Sequence, residues 1–75
     1  MISQKELKYL LGEIQGLQKE NFGKVSVTID TWLYDFSVII KGRGKFDFTH
    51  NMTSDECIDN FHKVRNVINN YEQET

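Results

Sequence analysis

Apolar positions recur along this chain in two rhythms, and the switches between them predict its elements. Leu7, Leu10, Leu11, Ile14 and Leu17 return every three or four residues, the single stripe of an amphipathic helix. Ser3 and Glu6 ahead of them have the spacing of a capping box, with Ile2 and Leu7 at the hydrophobic-staple positions. Asn21-Phe22-Gly23 supplies the stop. A period of two follows. From Lys24 to Asp30, Val25, Val27 and Ile29 alternate with Ser26, Thr28 and Asp30. From Leu33 to Lys41, Tyr34, Phe36, Val38 and Ile40 alternate with Asp35, Ser37 and Ile39. A third run carries Phe46 and Phe48. The helical rhythm returns at Thr53 and Glu56, a second capping box, with Met52 and Cys57 as its staple and Cys57, Phe61, Val64, Ile68 and Tyr71 as its stripe.

The joints between strands set the topology. Asp30-Thr31-Trp32-Leu33 lacks the glycine of a two-residue turn, which predicts a longer loop or a bulge. Gly42-Arg43-Gly44 fits a three-residue hairpin loop. That loop predicts Ile40 opposite Phe46, Val38 opposite Phe48, Phe36 opposite His50, and Lys41 opposite Lys45. Short connections make the sheet antiparallel. Each strand has one apolar face, and two amphipathic helices are available to cover it. The expected fold is therefore α+β: a single domain over residues 1–75, a two-layer α-β-β-β-α arrangement. It has a three-stranded antiparallel meander of order 1-2-3, two roughly parallel helices on one face, and the other face open.

Composition narrows the function. The chain has 75 residues, one cysteine and a formal net charge of -2. A lone Cys57 excludes an intrachain disulfide, and the opening Met1-Ile2-Ser3-Gln4-Lys5-Glu6 does not read as a signal peptide. No apolar run is long enough to span a membrane, so the expected location is cytoplasmic. The strongly basic balance usual in nucleic-acid binders is missing.

Candidate chemistry is sparse. His50 and His62 have no spacing relation to Cys57 that suggests a catalytic pair or a zinc site. His50 is expected to face Phe36 at the sheet edge. Gly42 and Gly44 lack the strand-to-helix context of a phosphate loop. The expectation is a non-enzymatic protein with no catalytic residues, metal or cofactor.

Charge, by contrast, is segregated. The meander gathers Lys19, Lys24, Lys41, Arg43 and Lys45 at one end and Asp30, Asp35, Asp55, Glu56 and Asp59 at the other, with Trp32 among the acids as an apolar anchor. The polar face of the first helix carries Lys5, Lys8, Tyr9, Gly12, Gly16 and Lys19.

In its order of helix, three strands and helix, the whole chain resembles the double-stranded RNA-binding domain. That resemblance implies duplex contacts from the first helix, here Lys5, Lys8, Tyr9 and Lys19, from the first strand-to-strand loop, and from a basic start to the second helix. Here that start is Thr53-Ser54-Asp55-Glu56, and the loop is flanked by Asp30 and Asp35, the wrong sign for phosphate. In size and acidic character the chain is also similar to small inhibitors encoded by phages and other mobile elements, including anti-CRISPR proteins. The leading expectation is a protein-binding inhibitor or regulator, docking on a basic, nucleic-acid-binding protein. Its candidate partner residues are Asp30, Trp32, Asp35, Ile39, Asp55 and Glu56. Self-association through the open sheet face, by Leu33 and Ile39, is the remaining alternative.

Overall fold

The computed structural model describes residues 1–30 and 34–71. Trp32 and Leu33, named above, lie outside the described residues. The elements follow as α1 (Gln4–Glu20), β1 (Val25–Asp30), β2 (Asp35–Ile40), β3 (Gly44–Phe48) and α2 (Ser54–Asn70). The sheet is antiparallel with order β1-β2-β3, so the architecture is the expected α+β one.

Both helix starts rest on side-chain caps. The Thr53 hydroxyl accepts from the Glu56 N–H at 3.1 Å while the Glu56 carboxylate accepts from the Thr53 N–H at 3.1 Å, a complete capping box. At α1 the Ser3 hydroxyl accepts from the Glu6 N–H at 3.1 Å, but the Glu6 carboxylate meets the Ser3 hydroxyl at 3.4 Å. The Ile2 N–H donates to the Met52 carbonyl at 2.7 Å, which ties the segments entering the two helices together. At their far ends, Leu17, Glu20 and Asn21 share a recess with Ile68 and Asn69. The helices therefore run side by side in the same direction.

The core lies between this helical layer and one face of the sheet. Leu7, Ile14, Val38, Ile40, Phe48, Cys57 and Val64 are fully buried, with Ile2, Val25 and Phe36 nearly so. Phe36 and Phe48 stack with ring centroids 4.6 Å apart and planes 8° from parallel.

Two expectations about the sheet are corrected. The β2–β3 register pairs Phe36 with Phe48, Val38 with Phe46, and Ile40 with Gly44, two residues from the predicted one. Consequently Lys45 stands opposite Ile39 rather than Lys41, and its ammonium lies 3.8 Å from Asp47. The turn decides this. The Arg43 N–H closes on the Ile40 carbonyl at 2.8 Å, and Gly42 with φ +74° fills the third turn position, where type II geometry needs a positive φ. The loop is thus Lys41-Gly42-Arg43. The second correction concerns Tyr34, which precedes β2 instead of opening it. Its φ is +61° and its N–H donates to the Asp30 carbonyl at 2.8 Å, closing the connection between the paired Asp30 and Asp35.

Two outcomes for stability follow. Phe48→Ala removes a fully buried ring and its stacking partner's contact, a loss of about 3–5 kcal/mol, comparable to the whole stability of a domain this small. Its thermal transition is expected to shift by tens of degrees or disappear. Gly12→Ala and Gly16→Ala act the other way. A Cβ at either mid-helix position meets nothing within 4 Å, so each is expected to stabilise by up to about 1 kcal/mol in a denaturant titration.

Candidate protein-docking surface

The acidic end is assembled by the starts of the helices and the first hairpin. Asp30 and Asp35 stand directly opposite each other at the end of the β1–β2 ladder. Glu6, Glu56 and Asp35 all lie near enough to Cys57 to disfavour its thiolate. Two of the candidate docking acids also have structural work. Glu56 closes the capping box, and Asp35 accepts from the His50 N–H at 2.8 Å. The His50 Nδ1 lies 3.1 Å and 3.0 Å from the two Asp35 oxygens. A carboxylate accepts, so Nδ1 is the protonated ring nitrogen in this contact. This corrects the expectation that His50 faces Phe36: with Phe48 there instead, His50 falls beyond β3 and folds onto Asp35 on the open side. Asp30 and Asp55 are exposed. Trp32 lies outside the described residues.

On the open sheet face, Ser37 donates to Asp47 at 2.8 Å. Ile39 is exposed there, between Ser26 on one side and Lys45 on the other. At the basic end, Lys24 and Arg43 gather on the Tyr71 ring, 5.1 Å and 4.8 Å from its centroid, a cation–π pair from two elements. Lys41 joins them through its N–H, which donates to the Lys24 carbonyl at 2.8 Å. Lys19 lies in the last turn of α1. Lys8 is not simply a solvated charge, because its ammonium sits 4.4 Å over the Tyr34 ring.

A further exposed apolar feature lies elsewhere, along the seam between the helices. Near their starts, Tyr9, Leu10 and Ile58 line a recess with Lys5 and Glu6. Tyr9 is 60% exposed and Ile58 42%. The seam continues over Leu10, Leu17 and Phe61 and is bordered by Glu13, Glu20 and Arg65. Glu6, Glu13 and Glu20 recur every seven residues, so they form one wall with carboxylates about 10 Å apart. Sequence reasoning placed Tyr9 on a basic face and passed over Ile58, which stands beside Cys57 outside the main stripe of α2. The signal that finds this groove is the interleaved spacing Glu6, Leu10, Glu13, Leu17 and Glu20 on one side of α1.

Among the described residues no group of three or more His, Cys, Asp or Glu side chains is placed to hold a metal ion. Among them, too, no helix is long and apolar enough to cross a membrane. The chain matches no known family model, no curated protein and no solved structure.

Cys57 is fully buried, and its thiol pKa is pushed up from the ordinary value of 9.0, chiefly by burial, with nearby Glu56, Glu6 and Asp35 adding to the shift and a backbone hydrogen bond at Thr49 opposing it. Below pH 9.0 the thiol is neutral in folded and unfolded chains alike, and its contribution is present in full. As pH climbs from there through the raised folded value, the unfolded chain loses its proton first and stability falls. The expected result is a steeper alkaline loss of melting temperature in the wild type than in Cys57→Ala, with thiol reagents reacting only as the chain unfolds.

Proposed function

We propose that the protein is a non-enzymatic binding module that docks on another protein bearing a basic surface, acting as an inhibitor or regulator. The observation that carries this is the acid-walled apolar groove between α1 and α2. Amphipathic helical segments commonly bind in grooves of this kind, apolar residues on the floor and charge at the rim. Tyr9, Leu10, Leu17, Ile58 and Phe61 offer the apolar contact, and Glu6, Glu13 and Glu20 favour a partner with Lys or Arg along the matching flank. Arg65 on the opposite wall gives the two sides different signs, which orients an incoming segment.

Asp55 lies one turn ahead of Ile58 and extends the acidic rim towards Asp30 and the first hairpin. A basic surface suited to this end is the kind that otherwise holds nucleic acid. In size and acidic character the chain is similar to small inhibitors of mobile elements, the anti-CRISPR type included, and occupying such a surface would inhibit the protein that carries it.

The test uses a partner recovered by affinity capture and then purified, with binding measured by calorimetry. Ile58→Glu is expected to weaken binding at least tenfold, because it places a charge on the groove floor. Asp30→Lys/Asp55→Lys is expected to slow association and lower its salt dependence. Unchanged affinity in Ile58→Glu would remove the groove from the interface. Salt-dependent retention of duplex RNA by the wild type, lost in Lys5→Glu/Lys19→Glu, would favour the nucleic-acid alternative instead.

A further inference from the structure

The two outer edges of the sheet are treated differently. At the ends of the β1–β2 ladder the Lys41 N–H donates to the Lys24 carbonyl and the Tyr34 N–H to the Asp30 carbonyl, each at 2.8 Å. Hydrogen-bonded positions alternate along an antiparallel strand. Lys24, Ser26, Thr28 and Asp30 therefore turn their backbone groups towards β2, and Val25, Val27 and Ile29 turn theirs outwards. The same alternation sends the backbone groups of Phe36, Val38 and Ile40 to β3 and leaves Lys45 and Asp47 facing out on that strand. There α2 reaches the edge. Asn60 Nδ2 donates to the outward Asp47 carbonyl at 3.0 Å, and just beyond β3 the Met52 N–H donates to the Thr49 carbonyl at 3.1 Å. Among the described residues, nothing comparable reaches the outward groups of Val25, Val27 and Ile29.

Nor does the sequence of β1 blunt its edge. Natural edge strands discourage pairing with lysine, proline, bulges or a cover. Val25-Ser26-Val27-Thr28-Ile29 has no proline and no charge, and it pairs with β2 without a bulge. Ile29 is 37% exposed, and Phe22, just upstream of the strand, is 92% exposed.

We propose that a second copy of this chain pairs along the β1 edge, antiparallel and two-fold symmetric about Val27. In that register Val27 meets Val27, Val25 meets Ile29, Ser26 meets Thr28, and Lys24 meets Asp30. Apolar, hydroxyl and oppositely charged positions each find their complement, and the match holds on both sides of the axis. The outward backbone groups of Val25, Val27 and Ile29 meet in three hydrogen-bonded pairs. Centring the axis on Thr28 would set Ser26 against Asp30 and carry Lys24 past the partner strand. Lys24 and Asp30 each already have a contact of their own; the register requires only that opposite signs face each other. The product is one six-stranded antiparallel sheet, with the interhelical groove of each protomer left open. It does not depend on what occupies that groove.

Sedimentation velocity on the intact chain tests this, with far-UV circular dichroism as the check on folding. Ser26 and Thr28 are exposed, so substitutions there leave the core untouched. The wild type is expected to dimerise. Ser26→Lys/Thr28→Lys sets like charges opposite each other twice and is expected to weaken association at least tenfold. Ser26→Lys/Thr28→Glu sets opposite charges there and is expected to associate at least as tightly as the wild type. Ile39→Lys, on the open face away from the edge, is expected to leave the dimer intact. A wild type that stays monomeric at the highest concentration it tolerates would overturn the proposal. So would equal association of the two double variants, or dissociation by Ile39→Lys, which would move the contact to the sheet face.

Discussion

The covering of one sheet face by two helices is the constraint on which this structure depends. A three-stranded sheet has only one row of inward positions per strand, and here the central strand supplies Phe36, Val38 and Ile40 to it. The stacked rings of Phe36 and Phe48 are buried beneath the helices and supply much of the core's apolar bulk. With a single cysteine there is no intrachain disulfide to help, and this contact sets how the rest is arranged. The helices must lie side by side to shield the rings, and lying side by side creates a seam between them. The candidate docking groove is thus a by-product of covering the core. The strip where α1 and α2 diverge leaves Tyr9 and Ile58 partly in water.

Charge follows from the same layout. Because both helices begin at one end, their capping glutamates and first-turn acids gather there, next to Asp30 and Asp35 at the hairpin. Acids at helix starts answer the helix dipole and the unpaired N–H groups of the first turn, so part of the acidic end is explained by folding alone. Glu6, Asp55 and Glu56 belong to that part, and Asp35 is engaged separately by His50. Glu13 and Glu20, further along α1, have no such origin, which is why the functional proposal leans on them and on the groove.

Element order, strand order and the apolar faces were legible because each rests on periodicity, and periodicity is local. Register was not. A slip of two residues keeps every side chain on its own face, so the alternation of Phe46 and Phe48 is satisfied equally by both alignments. Only the turn separates them, through the positive φ of Gly42 and the bond from Arg43 to Ile40. The Asp35–His50 contact was hidden for the same reason, since it exists only once the register has carried His50 beyond the end of the sheet. Ile58 was missed because an isoleucine at the margin of a helical stripe can be read as core or as surface. Which one it is depends on how far apart the neighbouring helix stands.

The bond from Asn60 to the Asp47 carbonyl looks minor, a single amide on an exposed edge. Its consequence is topological. A sheet with two sticky margins can be extended from both sides, and each addition presents a fresh margin to the next, so growth has no natural end. A sheet whose two margins are unequally guarded is extended more readily from one side than from the other. By seating a side chain of α2 on β3, the chain takes one outward acceptor from that margin and leaves β1 the less guarded of the two.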